Sequence, residues 1–376
     1  MINRYSDERI NNIWSDEYRF GFYQQIELKL IEYFSENKDV KLSNPQPNIK
    51  NIKNLELETK HEVVAFLKDM QSRLTKNEHK AMLHYGLTSS DIIDTTFSYQ
   101  IRESLNVLIT ELQETLNILS NRIKEFSNLS TLGRTHGRIA EQMPLSMRFQ
   151  HLKEEILYCT EFLTTKGLVG KLKGPVGHSH LDPQDEKTIL NSLDLRPATF
   201  TTQIIPRHHY AQVMSSMAIL AACFERFAIS IRLLSIDEVN EWSETKTAGQ
   251  YGSSSMPHKT NPVLSERICG LSRIIRSHSN AAIENIPLWL ERDISHSSVE
   301  RIIWPDSFHL LLQIIKDMNQ ILKKLSVNTQ NILEKNTLYE AKSSSHKQML
   351  ALQEQGKSRF EAYECSSKQV NIQEKD

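Results

Sequence analysis

Apolar residues recur at intervals of three and four along most of the chain. Between Ser6 and Asn37 the positions Ile10, Ile13, Phe20, Ile26, Leu30, Ile31 and Phe34 keep this spacing, which predicts one or two amphipathic helices. Asn44-Pro45-Gln46-Pro47 breaks the pattern, and a further helix is predicted over 56–73 with His61 near its start. From Asp94 to Asn128 there is neither proline nor glycine, and Phe97, Ile101, Leu105, Leu108, Leu112, Leu116 and Leu119 sustain helical spacing for many turns. Similar runs over 144–165, 208–247, 263–284 and 304–325 make five long helices. Such helices bury their apolar stripes by pairing with one another, so the predicted fold is an all-α, extended helical bundle.

Composition agrees with that class. Only 12 glycines and 11 prolines occur in 376 residues, and helix-forming residues fill the long segments. A chain this long exceeds the usual size of one compact core, so two or three substructures or an elongated architecture are expected. The 45 Lys and Arg nearly balance 46 Asp and Glu, a net charge of −1, which excludes a generic nucleic-acid binder. Cys159, Cys223, Cys269 and Cys365 are scattered without a Cys-x-x-Cys pair and read as small apolar residues in a reducing compartment. The first residues lack a basic segment followed by an apolar run, and no stretch reaches the roughly 20 apolar residues of a membrane span. A cytoplasmic location and no membrane partner are therefore expected. His178 and His180 alternate in a glycine turn without a carboxylate or cysteine cluster, so no metal is expected.

Four polar segments interrupt the helical pattern. Gly252-Ser253-Ser254-Ser255-Met256-Pro257-His258-Lys259-Thr260-Asn261-Pro262 is too rich in glycine, serine and proline for a helix or central strand. Its hydroxyls and amides can ring an anion while Lys259 adds a positive charge, a combination suited to a carboxylate. His84-Tyr85-Gly86-Leu87-Thr88-Ser89-Ser90-Asp91 reads as a turn entering a helix that Thr88, Ser89, Ser90 or Asp91 can cap, with free amides that suit an anion. Gly133-Arg134-Thr135-His136-Gly137 holds a histidine between glycines, open to close approach and with an acidity suited to proton transfer. Glu291 to Arg301 gathers Arg292, Asp293, Ser295, Ser297, Ser298 and Arg301, which by residue type is either a surface salt-bridge cluster or a phosphate clamp.

The run Gly-Ser-Ser-x-Met-Pro-x-Lys-x-Asn-Pro resembles the signature of the fumarase/aspartase superfamily, lyases that eliminate fumarate from a succinyl group. Five further blocks resemble its branch acting on succinylated purine nucleotides: Arg4-Tyr5-Ser6, Lys60-His61-Glu62-Val63-Val64-Ala65-Phe66, the 84–91 turn, the 133–137 turn and Glu291 to Arg301. They keep the family's order from residue 4 to about residue 306. The resemblance implies an all-α, elongated bundle with small flanking helical domains: an N-terminal one over 1–93, a central bundle over 94–330 and a reduced C-terminal domain with a tail over 331–376.

It also implies a set of roles. Ser253 is the base, His136 the acid that protonates the leaving nitrogen, and His61 orients the substrate. Arg4, Tyr5, Lys60, Glu62, Thr88, Ser89, Gln203, Ser254, Lys259, Asn261, Arg292, Ser297, Ser298 and Arg301 bind substrate, with Thr88 and Ser89 on a succinyl carboxylate and Arg292, Ser297, Ser298 and Arg301 on the phosphate. The implied reaction releases fumarate from adenylosuccinate and from succinylaminoimidazole carboxamide ribotide, without metal or organic cofactor, in a homotetramer whose sites are shared between subunits. Two departures stand out: Arg138-Ile139-Ala140-Glu141-Gln142 replaces a common histidine and proline, and the chain beyond Asn336 diverges. A lyase for another amine, such as argininosuccinate, and a helical scaffold retaining the fold are the alternatives.

Overall fold

The computed structural model describes residues 1–163, 168–178, 180–245, 255–256 and 259–373. Helices dominate. In chain order they are α1 (Glu8–Ile13), α2 (Asp16–Phe34), α3 (Ile49–Thr59), α4 (Glu62–Arg73), α5 (Asn77–Met82), α6 (Ser89–Glu125), α7 (Ser146–Leu163), α8 (Pro183–Asn191), α9 (His208–Leu234), α10 (Val263–Glu284), α11 (Ser295–Lys324), α12 (Thr329–Leu338), α13 (Glu340–Glu354) and α14 (Arg359–Gln373). Three small strand pairs accompany them: β1 (Ser130–Thr135) with β2 (Arg138–Pro144), β3 (Val169–Gly170) with β4 (Arg196–Pro197), and β5 (Trp242–Ser243) with β6 (Ser326–Val327).

The chain divides into two compact units. One comprises Met1–Glu111, Cys159–Ala221 and Leu271–Gln313; the other comprises Leu112–Tyr158, Ala222–Gly270 and Ile314–Asp376. In the first unit, Ser15 caps α2 by accepting from the Tyr18 amide, and Phe20, Tyr23, Ile26, Leu30 and Ile31 then fall on one face. That face buries against Phe66 and Met70 of α4, with Phe20 and Phe66 stacked at 6.0 Å. Each such side chain contributes roughly 1.5–3 kcal/mol by leaving water. In the second unit Phe126, Phe149, Phe227 and Trp242 form a continuous aromatic cluster, with Phe149 and Trp242 stacked at 5.4 Å.

Three local readings are corrected. The helix expected over 56–73 is broken: Lys60 takes φ 54, ending α3, and His61 becomes the N-cap of α4, its Nδ1 accepting from the Val64 amide at 3.4 Å. His61 therefore stands at a corner, not on a helix. The helix expected to reach residue 247 stops at Leu234, where the Ser235 amide and hydroxyl both turn back to the Arg232 carbonyl, and Asn240 at φ 46 then leads the chain into β5. The third, expected to start near Trp304, begins at Ser295 and runs through Pro305.

Candidate active site

The first unit gathers most of the nominated binding residues. Glu62 opens α4, and its carboxylate accepts from Arg19 Nη1 at 2.7 Å and Tyr23 Oη at 3.2 Å. The Arg301 guanidinium lies 3.6 Å from the same carboxylate. Arg301 and Ser297, one turn apart on α11, line a cavity of about 410 Å³ together with Arg19, Tyr23, Asp94 and Glu300. Gln203 accepts from Arg292 Nη1 at 2.8 Å, and both border a smaller cavity of about 270 Å³. Lys60 and His61 are exposed beside Glu62, Ser298 is exposed on α11, and Arg4 and Tyr5 sit in a single 3-10 turn (Asn3–Tyr5).

Buried charges fix these elements. Arg207 is clamped between Asp94, at 2.7 and 3.0 Å, and Glu300, at 3.2 Å. Burial pushes the Asp94 pKa up, but Arg207 outweighs it and holds the carboxyl below its ordinary value. Glu300, sharing that arginine with Asp94, is pushed up to about 7, chiefly by burial. His296, beside Ser297, is pushed down to about 4 by burial and by Arg207, and its buried Nδ1 has no hydrogen-bond partner. At neutral pH it is an uncharged imidazole, with Arg207 and Arg292 acting on it against Asp94 and Asp293.

The Thr88-Ser89 turn is held from below. Asp91 accepts from the Thr88 amide at 2.7 Å, reaching back over the start of α6, and from Lys173 and Gly174 amides at 2.9 and 3.0 Å. Its second tie is an ion pair with Lys171, both side chains fully buried. His84, which sequence reasoning did not nominate, sits at φ 58 in the same turn with Nδ1 2.6 Å from the buried Glu27 carboxylate. The signal available in sequence was Glu27 itself, a charge in the apolar stripe of α2.

The second unit carries the other group. His136 and Gly137 are the two turn residues between β1 and β2, at φ 53 and 75, so the histidine is exposed at the tip of a tight hairpin. Expected only as a glycine turn, it is in fact a strand pair that presents the ring on a rigid stem. Just after the signature sequence, the Leu264 and Ser265 amides donate to Glu244 at 3.1 and 2.8 Å, and Glu244 so caps α10. Lys259 is exposed and Asn261 half-buried just before that helix. Ser253 and Ser254 lie outside the described residues. Among the described residues no three His, Cys, Asp or Glu side chains cluster to hold a metal ion, and no helix is long and apolar enough to cross a membrane.

The helical architecture, with the signature sequence directly before α10, the histidine turn between β1 and β2 and the arginine-serine segment at the start of α11, is the one expected of a lyase of the fumarase/aspartase type. A family model described as "Lyase" matches residues 28–276. The chain is 37% identical over 375 residues to the adenylosuccinate lyase of Bacillus subtilis, covering 97% of this chain and 86% of that protein. It is 34% identical over 378 residues to the adenylosuccinate lyase of Synechocystis sp., covering 96% and 86%. In backbone it matches fumarate lyase from Mesorhizobium sp. BNC1 with a TM-score of 0.84 at 17% identity, over 100% of this chain and 89% of that one, a likeness of fold. The chain belongs to the adenylosuccinate lyase family.

Proposed function

We propose that the protein eliminates fumarate from adenylosuccinate, giving AMP, and from succinylaminoimidazole carboxamide ribotide. The observation that carries this reading is identity of 37% to an adenylosuccinate lyase across 97% of the chain, which itself contains Ser253, His136, Lys259 and Asn261. The reaction needs a proton taken from the carbon next to a carboxylate, donors for the doubly charged carboxylate that forms, and a proton delivered to the departing nitrogen.

Ser253 takes the carbon-bound proton as an alkoxide that Lys259 and loop amides stabilise; the C–H electrons form the new double bond and the C–N electrons leave with nitrogen. His136 protonates that nitrogen. Ser254, Lys259 and Asn261 hold the reacting carboxylate, while Thr88 and Ser89 hold the succinyl group and His61 orients the substrate. Arg292, Ser297, Ser298 and Arg301 take the phosphate, Glu62 fixing Arg301 from behind. Arg4, Tyr5, Lys60 and Gln203 complete the nucleotide contacts. The assembly is a cytoplasmic homotetramer with sites shared between subunits, supported by exposed apolar side chains along the long helices: Ile219 and Leu233 on α9, Ile274 on α10 and Ile302 on α11.

Incubating the purified protein with adenylosuccinate and, separately, with argininosuccinate tests the reading. An ultraviolet change with the first alone is expected. Turnover of argininosuccinate alone, or of neither substrate, would overturn it.

A further inference from the structure

The loop that leads into α11 keeps two large apolar side chains in the open. Trp289 is 81% and Leu290 90% exposed, whereas the other tryptophans are packed: Trp242 and Trp304 are buried, and Trp14 packs against Phe97 and Phe308. Leu290 sits at φ 45, a left-handed conformation that a leucine adopts only where its neighbours impose it. Asp293 spans this turn. Its carboxylate accepts from the Trp289 and Ser295 amides at 2.9 and 2.8 Å, and the Ser295 hydroxyl together with these amides holds it down to about 2. The Glu291 carbonyl accepts from the Gln203 amide at 3.3 Å. The backbone is therefore fixed while the indole is left uncovered.

Trp289 borders the cavity of about 270 Å³ together with Leu290, Gln203 and Arg292, all of the first unit. Arg292 can only donate, so the Gln203 side-chain oxygen, 2.8 Å from its Nη1, is the acceptor and the amide nitrogen is left to donate elsewhere. The buried Nε of Arg292 has no hydrogen-bond partner. The cavity thus sets side by side a flat aromatic side chain, an amide donor of fixed orientation and a guanidinium with a donor to spare.

We propose that Trp289 is a further substrate-binding residue, its indole stacking on the heterocyclic base of the nucleotide whose phosphate Arg292 takes. The inference rests on the proposed reaction and adds to it a group that holds the base. Stacking on an aromatic ring tolerates any flat heterocycle, so it suits a protein whose two substrates carry a purine and an imidazole. Gln203 donates to an acceptor of the same base.

Tryptophan emission of the full chain tests the proposal, because Trp289 is the one exposed tryptophan of four. AMP should quench that emission and shield it from acrylamide, while ribose 5-phosphate, which has the phosphate and no base, should do neither. By calorimetry Trp289→Ala should bind AMP about tenfold more weakly, and Trp289→Phe, which keeps a ring, should recover most of that loss without the emission signal. Circular dichroism selects folded variants. AMP bound with emission and shielding unaltered, equal effects from ribose 5-phosphate, wild-type AMP affinity in Trp289→Ala, no recovery in Trp289→Phe, or an indole closed to acrylamide before any ligand is added because a second copy covers it would each overturn the stack and leave the proposed reaction standing. No calorimetric binding of AMP overturns it too, and the reaction falls with it only if adenylosuccinate is also left intact.

Discussion

Removing the Asp91 carboxylate should cost more than removing its partner. Asp91 and Lys171 are both fully buried, and Asp91 also accepts three backbone amides, from Thr88, Lys173 and Gly174. Asp91→Ala strands the Lys171 ammonium, whose other acceptor is the Gly174 carbonyl at a long 3.4 Å. Stranding a buried charge costs about 3–5 kcal/mol, and the orphaned amides add to that where water cannot reach. Against a total stability of about 5–15 kcal/mol, such a loss brings the fold close to its limit. Lys171→Met leaves a different situation. Asp91 keeps its three amide donors and, with burial already pushing its pKa up, can accept a proton. A loss of about 1–2 kcal/mol is expected there, and Asp91→Ala/Lys171→Met should recover part of the single aspartate variant's deficit, since an apolar pair leaves no stranded charge. Urea unfolding followed by circular dichroism, at one fixed protein concentration because association shifts the midpoint, measures all three. If Asp91→Ala costs under about 1 kcal/mol, or Lys171→Met costs more, the buried pair does not anchor the Thr88 turn as argued.

His136→Gln should lower kcat by about 10²–10⁴-fold with little change in KM, because a general acid acts in the transition state; a raised KM at unchanged kcat makes it a contact residue. Glu300→Gln addresses the buried network. The folded carboxyl, pushed up to about 7 from 4.5, stabilises fully below about 4.5 and loses that contribution as pH rises through about 7, so the variant should gain on wild type by up to about 3 kcal/mol across that window. His296 runs the other way, its contribution present above 6.5 and lost as pH falls through about 4, so His296→Gln should gain on wild type as the medium is acidified; parallel pH profiles of variant and wild type would refute either assignment. Mixing inactive Ser253→Ala with inactive His136→Gln under subunit exchange should restore part of the activity, whereas confirmed hybrids without recovery argue against shared sites.

What the sequence discloses here depends on whether the physics is local. The bounds of α10 follow from apolar spacing and a proline-ended loop, and the span Val263–Glu284 is the one read from the pattern. The β1–β2 hairpin does not, because Gly133 interrupts its first strand and only Gly137 marks the turn. The corner at His61 is invisible for a related reason: Thr59 and Lys60 suit a helix, and the break depends on Lys60 adopting a left-handed conformation that the next cap tolerates. Site residues were nominated by motif, yet most of the ties that hold them were not. Asp91 was legible as a cap and Glu27 as a charge in an apolar stripe, but Asp94 and Arg207 look like ordinary polar positions, and the partners of Glu27, Asp91 and Asp94 stand 57, 80 and 113 residues away. Charge pairing at that separation is a property of the fold, not of any window of sequence.

The most direct test of the central claim is product stoichiometry. Wild-type protein incubated with adenylosuccinate should yield fumarate and AMP in equal amounts, measured by chromatography, while Ser253→Ala, folded by circular dichroism, yields neither at a comparable rate. Adenylosuccinate left intact by the wild-type protein, or equal product formation by the folded Ser253→Ala variant, would contradict the account.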